Sequence, residues 1–203
     1  MTTNRDGADR KEVTRSAVLV RRAAIEDAET IAVLQDIAND GHLSTRDWAA
    51  PDREWHDVGA DVIASGMTEM GIGNTIVAER DGVVIAMLNY ATDAAADAPV
   101  DDVSRPFVQL RQRLAPCLYL RAMAVLPAAR GTGVAKRLLD VALAAARIGE
   151  TRAVGVIVHD GNERLLAHYK QRGFEVVATE RVVSHASYPA GSSLYALRLN
   201  GEA

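Results

Sequence analysis

The run Arg130-Gly131-Thr132-Gly133-Val134-Ala135 brings together a fixed positive charge, two glycines and the start of a helix-periodic stretch. The first turn of a helix carries amides with no intrahelical partner, and the helix dipole adds partial positive charge there. Gly131 and Gly133 let the backbone approach an anion where a Cβ would obstruct it. The chemistry this loop suits is the holding of a phosphate. Two nucleotide motifs fail on it. The third glycine of the dinucleotide fingerprint is missing, and Val134-Ala135-Lys136-Arg137 stands where a nucleotide P-loop ends in Gly-Lys-Ser/Thr. A plain Gly-rich turn has the same spacing, so the meaning of the loop depends on its surroundings.

Those surroundings are regular elements. Leu118 to Val125 is a nearly continuous apolar run broken by Arg121 and closed by Pro127, the pattern of a central strand covered on both faces. From Val134, the residues Leu138, Val141, Ala142, Ala145 and Ile148 recur at helical spacing up to Gly149. Ala153 to Val158 predicts a second strand, and Asn162 to Arg172 a helix stopped by Gly173. A strand, helix, strand step implies a parallel pair with a right-handed crossover. Upstream, Ala17 to Val20 predicts a strand, Ile25 to Ala38 a helix stopped by Gly41, and Arg53 to Ser65 a second helix. Thr75 to Glu79 and Val83 to Tyr90 flank Asp81-Gly82 and predict a hairpin. Phe174 to Ala178 and Leu194 to Leu199 complete the strands. Residues 91–117 form an insertion before the central strand, with a helix expected over Arg105 to Leu114. The fold class is α/β: a mixed, mostly antiparallel twisted sheet with helices on both faces.

The chain has 203 residues, 48% hydrophobic and 25% charged, within the range of one globular domain, here expected over 15–203 behind a disordered tail at 1–14. A net charge of -4 argues against a general nucleic-acid binder. No apolar run approaches the length of a membrane span, and the polar stretch Met1 to Thr14 is expected to be a tail rather than a secretory signal. Cys117 is the single cysteine, so no internal disulfide or thiolate metal cluster can form. A cytoplasmic, metal-free protein is expected, with oligomeric state, including a homodimer, left open.

The stretch from Met123 to Phe174 resembles the GCN5-related N-acetyltransferase (GNAT) superfamily. Arg130-x-x-Gly133-x-Ala135 matches that family's Arg/Gln-x-x-Gly-x-Gly/Ala acyl-CoA loop, and Asn162 is followed by Tyr169 seven residues on and then by Gly173-Phe174. The resemblance implies a central parallel pair that splays apart to admit the pantetheine arm of acetyl-CoA as co-substrate. The backbones of Met123, Ala124 and Val125 should then contact the arm, and residues Arg130, Gly131, Thr132, Gly133, Val134 and Ala135 should hold the pyrophosphate. Asn162 either reaches the arm or caps its helix.

Direct transfer of an acyl group to a small-molecule or peptide amine needs a neutral amine, a stabilised oxyanion and a proton for the leaving thiolate. Tyr169 is the candidate acid, against the alternative of a packed aromatic beside Leu165 and Leu166. Many relatives carry a carboxylate on the strand before the loop, and Leu118 to Val125 has none; Arg121 stands where acidity would be useful. It either binds an acidic group on the acceptor or pairs internally, with Tyr119 lining the acceptor site or the core. His159 and Asp160 are expected to be loop residues, and His168 to face solvent. Trp48, Trp55, Glu69 and Tyr90 remain open between pocket and packing. The alternative to an N-acetyltransferase is a non-catalytic acyl-CoA sensor.

Overall fold

The computed structural model describes residues 17–92, 101–102, 104–149, 151–182 and 191–201; the expected tail at 1–14 lies outside them. One seven-stranded sheet runs in the order β1-β2-β3-β4-β5-β7-β6. Its strands are β1 (Leu19–Arg22), β2 (Thr75–Arg80), β3 (Val83–Ala91), β4 (Leu118–Val125), β5 (Ala153–His159), β6 (Glu175–Arg181) and β7 (Ser193–Asn200). Every pairing is antiparallel except β4 with β5. The helices are α1 (Ala28–Ala38), α2 (Trp55–Ser65), α3 (Arg105–Leu114), α4 (Val134–Ile148) and α5 (Glu163–Lys170).

The expected elements are present, with ends moved where charge decides. β1 sits two residues later than its apolar run, because Arg21 is anchored inside the sheet. Its guanidinium donates to Asp27 at 2.6 and 2.9 Å and to Glu79 on the neighbouring strand at 2.8 Å. That hydrogen-bonded pairing holds the Asp27 carboxyl below the usual carboxylate range. β6 runs on to Arg181 because it is an edge strand, where polar residues can face water along one side. α5 is shorter than its pattern: after Lys170 the chain turns, and Gly173 takes a left-handed φ of 84°.

Two layers of helices cover the sheet. On one face, α4 buries Val134, Leu138, Leu139, Ala142 and Ala146 against Leu88, Leu118, Leu120, Val154 and Val156, with Tyr169 of α5 and Phe174 completing this core. Each fully buried leucine here contributes about 1.5–3 kcal/mol of transfer free energy. On the other face, α1 and α2 cover Val77, Val84, Met87 and Ala124. Trp48 and Trp55 belong to this layer: their rings stack in parallel at 6.4 Å, and Trp48 packs so tightly on Gly59 that any Cβ there would lie 2.6 Å from its ring. Beside them α3 buries Leu110 and Leu114 against Cys117, Ala153, Leu194 and Ala196. The insertion helix is therefore part of the core of this face.

A bulge in β4 decides which of its side chains meet which helix layer. Ala122 faces Asn89 and Leu120 faces Tyr90, so Arg121 is an extra residue with no partner on β3. The alternation of side chains shifts with it. Leu118 and Leu120 pack under α4, and beyond the bulge Met123 and Val125 do so, while Ala122 and Ala124 turn toward α1. A regular strand would have reversed that second set.

Candidate functional site

β4 and β5 pair only through Leu118 to Leu120 and Val154 to Val156. Beyond this they separate: Ala122 to Val125 pairs with β3 alone, and Ile157 to His159 with β7 alone. The result is a fork whose inner end lies at Arg121 and whose mouth lies at the loop following β4. One hydrogen bond fixes which groups line it. The Leu126 amide donates to the Ile85 carbonyl of β3 at 2.9 Å, so by strand alternation the amides and carbonyls of Val125 and Met123 point away from β3, into the fork. Ala124 is a correction to the expected set. Its amide falls on the β3 side, and its side chain is buried under α1.

At the mouth, Pro127–Ala129 makes a single 3-10 turn, and Arg130 reaches back so that its Nε donates to the Val125 carbonyl at 3.3 Å. Thr132 Oγ1 donates to the Ala129 carbonyl at 2.7 Å and pins the turn. Gly131 and Gly133 have φ of 76° and 84°, values that favour glycine, and no atom lies within 4 Å of where a Cβ would stand on either. Gly133 caps α4, and the Arg137 amide, donating to the Gly133 carbonyl at 3.2 Å, begins the helical ladder. The amides of Gly133, Val134, Ala135 and Lys136 are therefore those the helix cannot use itself. This donor set, with Arg130 beside it and open space before it, fits the pyrophosphate of a coenzyme A thioester, and the exposed edge of the fork fits its amide-bearing arm.

Asn162 caps α5, and Tyr169 lies within it, packed into the core between α4 and the sheet. Asn162 Oδ1 accepts from the Leu165 amide at 3.1 Å, so its side-chain oxygen caps the helix. Tyr169 is 2% exposed, with its ring 5.1 Å from that of Phe174, and burial pushes its phenol up to about 12. His168 is a second correction. It is half-buried, edge-on to Tyr169 at 5.7 Å and 3.1 Å from Arg172 Nη1, and burial lowers its pKa. His159 and Asp160 shape the turn after β5: the Gly161 amide donates to His159 Nδ1, and the Ser193 amide to Asp160 Oδ2 at 2.8 Å.

At the inner end lies a polar cluster that local spacing did not reveal. Arg111 of α3 grips Glu69 with two parallel hydrogen bonds of 2.8 and 2.9 Å, and its guanidinium covers the Tyr119 ring at 4.9 Å. Asn89 Nδ2 holds the Glu69 carbonyl at 3.0 Å and also reaches Thr75 Oγ1 and the Asn74 carbonyl. Burial pushes the Tyr119 phenol up to about 12. Arg121 Nε lies 3.8 Å from Glu69 Oε2. β4 has no carboxylate of its own, and the one beside it comes from the loop before β2, held by Arg111. The signal in the sequence was Asn89, a lone amide in an apolar strand. Tyr90 lies elsewhere, lining an apolar cavity of about 490 Å³ between α4 and the start of β4.

Among the described residues, no group of three or more His, Cys, Asp or Glu could hold a metal ion, and no helix is long and apolar enough to cross a membrane.

No curated protein matches the chain. Solved structures do. An acetyltransferase is 24% identical with a TM-score of 0.65, covering 91% of this chain and 100% of its own. An N-acetyltransferase from Staphylococcus aureus Mu50 is 18% identical with a TM-score of 0.61, covering 91% and 99%. An acetyltransferase from Salmonella typhimurium, solved with its cofactor acetyl-CoA, is 16% identical with a TM-score of 0.59, covering 93% and 96%. These likenesses show a shared fold. The family model described as acetyltransferase (GNAT) family matches residues 42–174, most of the chain and all of the fork from β4 to α5. The chain belongs to the GNAT acetyltransferase family.

Proposed function

We propose that this protein transfers the acetyl group of acetyl-CoA to a primary amine of a small molecule or peptide, directly and without a covalent enzyme intermediate. The observation that carries the reading is the fork: a strand edge with its backbone turned into a cleft, leading to a helix N-terminus with unused amides. Bound acetyl-CoA supplies an activated carbonyl, so that C–N forms as C–S breaks, one proton of the amine leaves to water and one reaches the thiolate. The amides of Gly133 to Lys136 and the Arg130 charge hold the pyrophosphate. The backbones of Met123 and Val125 align the arm as an added strand would. An amide on this edge serves as oxyanion donor.

Tyr169 stands at the thiol end. With its pKa raised to about 12 it keeps its proton at neutral pH, which suits it to donating a hydrogen bond to developing thiolate charge. Full proton transfer from it is uphill, since an ordinary thiol has a pKa of about 8.5. Solvent therefore completes the proton balance. Glu69 is bound on both oxygens by Arg111, which leaves water as acceptor of the ammonium proton.

The test is thiol release from acetyl-CoA across a panel of primary amines, with calorimetry of coenzyme A binding alongside. Binding together with turnover of at least one amine is expected. Binding without turnover of any amine would reassign the protein as an acyl-CoA sensor, and failure to bind coenzyme A would remove both readings.

A further inference from the structure

Arg121 occupies the inner end of the fork, one residue past the last β4–β5 pair, where the acyl carbon and the incoming amine would meet. As the extra residue of a bulge it has no register partner, and its side chain lies on the α1 and α3 face, opposite Tyr169. Among the described residues the guanidinium makes no hydrogen bond. Its charged partner among the described residues, Glu69 at 3.8 Å, already accepts a hydrogen bond from Arg111 on each oxygen. Asn89 holds the Glu69 backbone, and Arg111 stacks on Tyr119 while gripping both Glu69 oxygens, so the tighter pair is Glu69 with Arg111. Among the described residues of this cluster, two guanidiniums stand against the one carboxylate of Glu69. The Arg121 side chain is 32% exposed, accessible from solvent yet shielded enough for an ion pair to count.

A planar, always-charged fork of donors in this state matches a carboxylate, which takes two parallel bonds. We propose that the acceptor is an amine bearing a carboxylate, a free amino acid, whose acid group is bonded by Arg121 while its amine faces the thioester. This rests on the proposed acetyl transfer and narrows it. The same guanidinium disfavours polyamines, whose second ammonium it would repel.

The experiment compares, on the full chain, the standard free amino acids, their α-carboxamides and spermidine. It uses thiol release for turnover and calorimetry on the coenzyme A-loaded protein for binding. A charge-assisted bidentate contact predicts kcat/KM for the best free acid roughly 10- to 150-fold above that for its carboxamide. R121Q should bring that ratio near one, chiefly by raising KM for the acid, and R121K should recover part of it. Carboxamides or spermidine used as well as the acids would overturn the proposal, as would an unchanged ratio in R121Q. If R121Q fails to fold, the acid-to-carboxamide comparison on the native chain decides. If no amine is turned over, the transfer reading fails separately: an amino acid bound where its carboxamide is not would keep Arg121 as a carboxylate site, and no binding of either would overturn it.

Discussion

At the scale of single residues, the two tyrosines at the fork share a property and differ in use. Tyr119 and Tyr169 each have a phenol pushed up to about 12 by burial, from opposite faces of the sheet. Tyr119 is covered by Arg111, while Tyr169 is placed by α5 and Phe174. Y169F should lower kcat about 10- to 100-fold, the range of a hydrogen bond to developing charge, while the Kd for coenzyme A moves less than about twofold. Steady-state kinetics with calorimetry checks this, and an unchanged kcat would reduce Tyr169 to packing. The pH profile gives an independent readout. With a pKa of about 12, Tyr169 adds no alkaline limb to kcat below pH ~11, so any limb seen near pH 8–9 belongs to the amine.

Among the elements, the loop into α4 carries the tightest backbone demand. Gly133 has φ of 84° at the helix cap, and a β-branched residue there costs about 1–2 kcal/mol in the left-handed region. G133V should raise the Kd for coenzyme A more than tenfold and lower the melting temperature by several degrees, measured by calorimetry and thermal unfolding. A variant that binds normally would move the pyrophosphate elsewhere. α3 makes a different prediction. Leu114 is fully buried, and its carbonyl accepts from Arg198 of β7 at 2.6 Å, so the helix is locked onto the sheet by both core and backbone. L114A should cost about 2–5 kcal/mol in urea unfolding. Through Arg111 it should also loosen the Glu69 cluster.

These elements were largely legible in the sequence, because α4, β5 and the β2–β3 hairpin each carry their own periodicity or turn chemistry. The Gly-rich loop and its run into α4 were legible too, since loop and helix start are contiguous. The inner end was not. Glu69, Asn89, Arg111, Tyr119 and Arg121 come from separate segments, and only tertiary pairing brings them together. Nor could an alternating pattern disclose the bulge, because Leu118 to Val125 is apolar on both sides of Arg121. Ala124 was misplaced for a related reason. Which edge an amide faces depends on register with β3, and the β4 sequence alone does not contain it.

For the whole molecule, buried phenols tie stability to alkaline pH. Unfolded, Tyr119 and Tyr169 ionise near pH 10; folded, they hold their protons to about 12. Between these values the unfolded chain binds fewer protons, so stability falls as pH rises through this window and is indifferent to these groups below it. The urea midpoint should drop from about pH 9 to about pH 11, and less so in Y169F; a flat midpoint would mean the phenols are already ionised or already wet. Asp27 acts at the other end. Its carboxyl is held low by Arg21, so its contribution is present above about pH 4 and lost as pH falls through its folded value.

The bulge also bears on change over generations. Every other position of β4 answers to a helix layer, so a substitution there is judged by packing before it is judged by substrate. Arg121 stands outside that alternation, without a partner on β3 and with its side chain beside Glu69 at the inner end of the fork. On the proposed reading, a sequence drifting at this codon exchanges one acceptor preference for another while the sheet and its core stay in register. The proposed carboxylate contact would make acceptor preference evolvable at a single site, and libraries randomised at 121 alone should return folded, coenzyme A-binding proteins with altered choice of amine.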